Sequence, residues 1–367
     1  MSKLPKGLIS FGPDANCTLV LCKPEWSVVG YQPSIPANAA FLALFGLSLL
    51  AHLCQGVYFW RKGRPAWGYM TLIVLGCADE IVGYVGRLML HDNPFGFISF
   101  LVQIICVTTA PVFFCAAIYI TLSQTINFID PSKSRFDPRL FYWVFIPCDI
   151  ISLVLQAVGG ALSSVARTES AVNRGVKISL AGLVFQVVTL VAFTLLFIDY
   201  LRSCGFLASF FSSSASSGSS GRTTATGMRE NEKTTTTTAG SKQPVRHFAR
   251  SLKVFMVFLF LATLFVFVRC AYRIKELSEG YFSQFFREEN LFIALESCMM
   301  VLAVFCLNVS HPGYGFQTAP VSSSHSPSSS TSTNDDGSAT TAAAGSGSKP
   351  HTGGVVDSSS DADGSRV

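Results

Sequence analysis

Charge is what this sequence has least of. Only 13% of its 367 residues are Asp, Glu, Lys or Arg, against about 25% in soluble domains, and most of them fall between long apolar runs. Its net charge of +5 is spread over loops, with no basic block interleaved with aromatics of the kind that binds nucleic acid. No G-x-x-x-x-G-K-[ST] loop is present to cradle a nucleotide phosphate, which argues against ATP hydrolysis by this chain. Histidine is scarce too: the apolar runs hold only His52, with His311 at their exit, and no His-Glu-x-x-His pair or other metal-ligand spacing occurs. Ser152 stands three residues from Asp149 with no histidine to activate it. No metal, no cofactor and no enzymatic role are therefore expected. Residues 1–35 lack the apolar core of a cleavable signal peptide.

Hydrophobic residues, by contrast, make up 49% of the chain, and 31 are Phe. Seven apolar segments, at about 37–60, 67–90, 97–122, 140–162, 177–201, 252–272 and 290–310, each approach the ~20 residues that a spanning helix needs. The third can run on to Ile129, and would then tilt or protrude. The expected fold is all-α, a polytopic bundle of seven transmembrane helices across residues 36–313, preceded by an extracellular tail, 1–35. Eleven cysteines are scattered; those in or beside the apolar runs read as small buried side chains rather than a disulfide framework. Cys17 and Cys22 lie in the polar N-terminal tail and can pair if that tail is outside the cytosol, a connectivity the sequence leaves open.

Lys and Arg set the orientation. The first loop carries Arg61, Lys62 and Arg64, the third Lys133, Arg135 and Arg139, and the fifth seven basic residues from Arg202 to Arg250. The second loop has none, and the fourth has Arg167, Arg174 and Lys177. This bias puts the N-terminus outside and the C-terminus in the cytoplasm. Asn16-Cys17-Thr18 then offers Asn16 as a glycosylation acceptor. The fifth loop, 205–247, is rich in Ser, Thr and Gly with five consecutive Thr at 234–238, and the tail 314–367 has the same character. Neither holds enough apolar surface to offset ordering entropy, so both are expected to be disordered. They are either spacers or targets for cytoplasmic kinases and regulators.

The informative residues are the polar ones inside the apolar runs. Ionised groups in hydrocarbon cost about 2.5–3.5 kcal/mol on insertion scales, so they face a bundle interior or a wet cavity and are functional candidates by default. Glu80, Tyr84 and Arg87 are spaced by four and three residues and share one helix face; Asp79 sits roughly 100° round from it. Gln103, Asp149 with Gln156, Gln186 and Glu296 fall at similar depth on other helices, as do the outer-end residues Arg269, Tyr272 and Arg273. Hydrogen-bonding glue between helices, at about 0.6 kcal/mol per contact, is the plainer role for the glutamines, and snorkelling to the headgroups the plainer one for the arginines. With acids at mid-depth and basic groups toward the outer end, the centre suits a cationic head group, or a proton relay. In that reading Asp149, Glu80 and Glu296 bind the head group or couple to protons, while Gln103, Gln156, Gln186 and Tyr84 supply hydrogen bonds.

The same residues carry a resemblance. Glu80-x-x-Gly83-Tyr84-x-x-Arg87, Gln103…Ala110-Pro111…Ala116-Ala117-x-Tyr119, Asp149-x-x-Ser152-x-x-x-Gln156-x-x-Gly159-Gly160, Gly175-x-x-Ile178-x-x-x-Gly182-Leu183-x-x-Gln186 and Arg269-x-x-Tyr272-Arg273-x-x-Glu276-x-x-x-Gly280 occur in order, followed by an exit through His311-Pro312-Gly313. Together they resemble the fungal lipid-translocating exporter family, seven-helix proteins linked to aminocholesterol resistance and sphingoid-base release. One departure is that Glu296 precedes Cys298-Met299 where the family has Asp followed by Pro-Met, so acidity is kept and a proline kink is lost. The resemblance implies a plasma-membrane protein that exports or flips amphiphilic lipids, such as sphingoid long-chain bases or sterol-like toxicants, in stress or drug resistance. A heptahelical receptor or lipid sensor is the alternative, although the third segment lacks an acid–Arg pair and the seventh lacks an Asn-Pro-x-x-Tyr-like end.

Overall fold

Hydrocarbon offers the backbone no hydrogen-bond partner, so a chain this apolar must satisfy its N–H and C=O groups within helices. The computed structural model describes residues 7–63, 66–129, 137–166, 168–204, 242–280 and 287–315, and no strand occurs among them. Its long helices are α1 (Ile35–Arg61), α2 (Trp67–Asp92), α3 (Phe97–Ile129), α4 (Pro138–Val165), α5 (Glu169–Ser203) and α6 (Lys242–Glu279). A seventh, α7, runs from Glu289 to Val309 through a π-helical stretch at Phe292–Cys298. Among the described residues six helices, all but α2, are long and apolar enough to cross a membrane. Each helix packs against the next, α7 returns to α1, and α3 also meets α6 across the ring. More than half of the most apolar stretch of α3 is buried (56%) against 17% for α1, which makes α3 the centre and α1 a peripheral helix.

Local chemistry sets the starts. Ser34 caps α1, its side chain accepting from the Ala37 N–H, with Pro36 in the first turn. Asp137 caps α4 through the Arg139 N–H, with Pro138 beginning the helix. One helix pair approaches closely at two glycines. A Cβ on Gly159 would stand 2.3 Å from the Ser179 nitrogen, and one on Gly175 2.5 Å from the Ser163 nitrogen, so α4 and α5 pack backbone to backbone.

The structure extends several expected boundaries. Arg174 and Lys177, read as loop charges, lie on the first turns of α5, because that helix begins at Glu169 rather than 177. α6 begins at Lys242, within the stretch expected to be disordered; residues 205–241 and 316–367 of the two Ser/Thr-rich regions lie outside the described residues. At Phe292–Cys298, where the missing proline predicts an unbroken helix, α7 widens into π geometry and so still departs from a regular α-helix.

Ahead of α1, the N-terminal segment folds over one end of the bundle, which we call the capped end. Cys17 and Cys22 form a disulfide with a Cα–Cα distance of 5.6 Å. Beside it the exposed Asn16 accepts from the Ile9 N–H (2.8 Å) and donates to the Gly7 carbonyl (2.9 Å). At the opposite end His311 stacks on Phe59 (4.8 Å between ring centroids), and its Nδ1 accepts from the Gly313 N–H. Between them, toward that opposite end, Tyr119, Phe145 and Phe193 pack ring to ring, at 4.4 Å between Tyr119 and Phe193 and 5.5 Å between Phe145 and Phe193.

Candidate functional site

Pro111 supplies no N–H, so inside α3 the carbonyl four residues earlier, that of Val107, loses its helical donor. Arg269 from α6 donates to this oxygen through Nη2. The same guanidinium reaches Glu296 of α7, with Nη2 at 2.6 Å and Nε at 2.9 Å from Oε1. Both side chains are 1% exposed. Glu80 of α2, equally buried, lies in the field of Arg269 and Glu296 and keeps Oε1 without a hydrogen bond. Three of the predicted site residues, Glu80, Arg269 and Glu296, are thus brought together around one cation. A buried charge held by an ion pair and a carbonyl is far less costly than an unpaired one.

Asp149 heads a second cluster. Its Oδ2 accepts from the Tyr119 hydroxyl of α3 (3.0 Å) and its Oδ1 from the Thr189 hydroxyl of α5 (3.4 Å). Two turns along α4, Gln156 Nε2 donates to Gln186 Oε1 at 2.9 Å, and Ser179 donates to the Gln156 carbonyl at 3.3 Å. Cys115 and Cys270 lie within electrostatic reach of both Asp149 and Arg269. The acids expected around one centre are therefore divided between two clusters, because the α3 backbone and its side chains stand between α2 and α4.

The rest of the predicted stripe on α2 serves other contacts. The Tyr84 ring packs against Phe41 and Phe45, both at 5.6 Å. Arg87 Nη2 donates to the Tyr31 hydroxyl at 2.6 Å, its guanidinium lies 3.8 Å from the Phe292 ring centre, and Glu289 stands 3.8 Å away. Glu289 in turn accepts from the Ser34 N–H. Arg87 therefore joins the N-terminal segment to α2 and α7 at the capped end. Burial holds the Tyr31 hydroxyl above its ordinary pKa, and Arg87 opposes that rise. Gln103 is buried where α3 crosses Gly86, its Oε1 without a partner.

A cavity of about 290 Å³ opens among α3, α4, α5 and α6, between Phe97 and Thr109 on α3 and between Leu153 and Val165 on α4. This is the half of the bundle nearer the capped end. Its walls are mostly Phe, Leu, Ile, Val and Ala, with Thr108, Thr109, Gln156, Ser164, Ser179, Arg269, Arg273 and Glu276 as polar groups. Of the predicted residues, Gln156, Arg269 and Arg273 line it; Glu80, Tyr84, Arg87, Gln103, Asp149, Gln186, Tyr272 and Glu296 do not. Arg273 pairs with Glu276 and lies 3.4 Å from the Thr108 hydroxyl, while Tyr272 donates to Glu276 at 3.4 Å. Sequence reading passed over Glu276 and Thr108 as site residues. The Arg273-x-x-Glu276 spacing, one turn on a helix, was the available signal for the first.

A family profile described as "RTA1 like protein" matches residues 73–319. The sphingoid long-chain base transporter RSB1 of Saccharomyces cerevisiae (strain Lalvin EC1118) is 29% identical over 305 residues, covering 81% of this chain and 77% of that protein. The probable lipid transporter atnI of Emericella nidulans is 28% identical over 178 residues, 48% of this chain and 45% of that one. Protein RTM1 of Saccharomyces cerevisiae is 25% identical, covering 45% of this chain and 63% of its own. No solved structure matches.

Proposed function

The chain belongs to the RTA1-like protein family, and from that premise we propose that it is a multi-pass transporter that exports amphiphilic lipids, sphingoid long-chain bases foremost, across the plasma membrane. The observation that carries this reading is the cavity beside α3. It is set among membrane-spanning helices, apolar on most of its wall, and provided with a short polar face from α4, α5 and α6. Such a lining suits a molecule with one polar end and a long apolar remainder. Its position in one half of the bundle, with ring-packed Tyr119, Phe145 and Phe193 filling the other half, is what a carrier open toward one leaflet requires.

Lys and Arg in the first, third and fifth loops support placing the capped end outside. The cavity then faces the outer leaflet, where an exporter releases its cargo, and Asn16 and the Cys17–Cys22 disulfide lie in an oxidising, glycosylating compartment. Relatives named as transporters support this function over a signalling receptor. Substrate handling by binding and conformational change needs no covalent chemistry from the chain.

Release of a radiolabelled sphingoid base from cells expressing the protein, compared with cells lacking it, tests the reading. Faster release with the protein is expected. Equal release, with resistance to added base still dependent on the protein, would overturn export in favour of sensing.

A further inference from the structure

Two adjacent glycines on α4 meet different surroundings. A Cβ on Gly159 would strike the α5 backbone, whereas one on Gly160 would meet nothing within 4 Å. Gly160 instead lines the α3–α6 cavity. Turned one residue round from a backbone-to-backbone seam, it leaves room where an ordinary helix would place a side chain.

We propose that, in this cavity, the ammonium of the single-chain amine cargo takes the place of Arg273 as the counter-ion of Glu276. The proposal rests on the lipid-transport reading and deepens it. The cavity, about 290 Å³, is close to the lower bound of the ~300–1,000 Å³ of small-molecule sites, a size that suits a slender single chain. The walls formed by Leu101, Ile104, Leu153 and Leu183 present no charge to a hydrocarbon tail.

The head-group end follows from Glu276. Its side chain is 4% exposed and its charge is met by Arg273 of the same helix. Arg273 is itself 11% exposed, on a long flexible stem, and has the Thr108 hydroxyl of α3 at 3.4 Å. The exchange requires Arg273 to swing aside on that stem, leaving Glu276 with a cation and the Tyr272 hydroxyl. A charged amine satisfies that exchange, since a buried carboxylate must stay paired. A neutral amide cannot satisfy it. Across the cavity Gln156 and Ser179 stand ready for hydroxyl groups beside the amine. Of the deeper acids, Glu296 is committed to Arg269 and Asp149 to Tyr119 and Thr189, and Glu80 does not line the cavity.

The test uses the full-length protein in lipid nanodiscs with a radiolabelled long-chain amino alcohol as probe. Competition by its N-acetyl analogue should be weaker by about tenfold or more, and diacyl phosphatidylcholine should not compete. Gly160→Leu fills the cavity and should abolish binding while leaving thermal unfolding unchanged. Gly46→Leu, on α1 with open space around its Cβ position, should bind normally. Glu276→Gln should bind amine and N-acetyl analogue alike. Normal binding by Gly160→Leu, or equal competition by the N-acetyl analogue in the unaltered protein, overturns the proposal. Protein-dependent release from cells that Gly160→Leu retains would sink this site and leave lipid export standing. Selective amine binding lost in Gly160→Leu, with no protein-dependent release from cells, would do the reverse.

Discussion

Arg269 shows how a buried charge is tolerated at the scale of one residue. It is 1% exposed, yet its donors are met by Glu296 and by a carbonyl that Pro111 leaves without its helical partner. Removing one member of such a pair costs about 3–5 kcal/mol, because the other is left buried and uncompensated. Arg269→Met is accordingly expected to deplete folded protein, and the double variant Arg269→Met with Glu296→Gln to recover part of that loss, as thermal unfolding in detergent would show. Asp149 gives a sharper comparison. Since its oxygens are occupied by Tyr119 and Thr189 and it does not line the cavity, Asp149→Asn should reduce abundance or stability. The affinity of the molecules that remain folded should be unchanged. A specific loss of substrate affinity at normal stability would restore the head-group role that its place in the sequence suggests.

Among the helices, α3 and the α4–α5 pair determine where space remains. Pro111→Ala returns an N–H to α3, and that N–H competes with Arg269 for the Val107 oxygen, a hydrogen bond of about 1 kcal/mol net. The expected variant is stably folded but releases substrate more slowly, measured by the cell efflux assay; unchanged efflux would remove the freed carbonyl from the mechanism. Gly159→Ala is expected to be destabilising by about 1–3 kcal/mol through overpacking, because its new methyl meets the Ser179 backbone. The helices themselves were legible, since long apolar runs have no alternative in a membrane. Their ends were less so. Arg174 and Lys177 look like loop residues because charge is read as solvent exposure, yet a helix continues past the hydrocarbon without cost. The π-helical stretch at Phe292–Cys298 has no proline or glycine to announce it, and the local pattern there reads as plain helix.

Over the whole molecule, the capped end joins segments distant in the chain. Tyr31 meets Arg87, Ser34 meets Glu289, and the Gln32 side chain donates to the His91 carbonyl at 2.8 Å. This cap orders the mouth of the bundle, so Tyr31→Phe, which deletes one charged hydrogen bond, should cost at most about 1.5–3 kcal/mol of stability, seen as a modest fall in the unfolding temperature. Reduction of the Cys17–Cys22 disulfide should add to that loss; a Tyr31→Phe protein as stable as the parent would place the cap outside the cooperative unit.

The amino-acid sequence by itself determined that this chain is a helical membrane protein and which family its motifs resemble. The first follows from composition and the second from the residues of the motifs, and both are local, whereas the burial of Arg87 and Arg269, which read as headgroup snorkellers, is tertiary. Only the tertiary structure decided which internal groups meet. Glu80, Asp149 and Glu296 share a depth, but depth is one coordinate, and the rotation of each helix about its own axis is set by packing. The glycine contacts set α4 against α5 and leave the space beside Gly160 open, the carbonyl freed by Pro111 receives Arg269 beside Glu296, and Asp149 meets Tyr119.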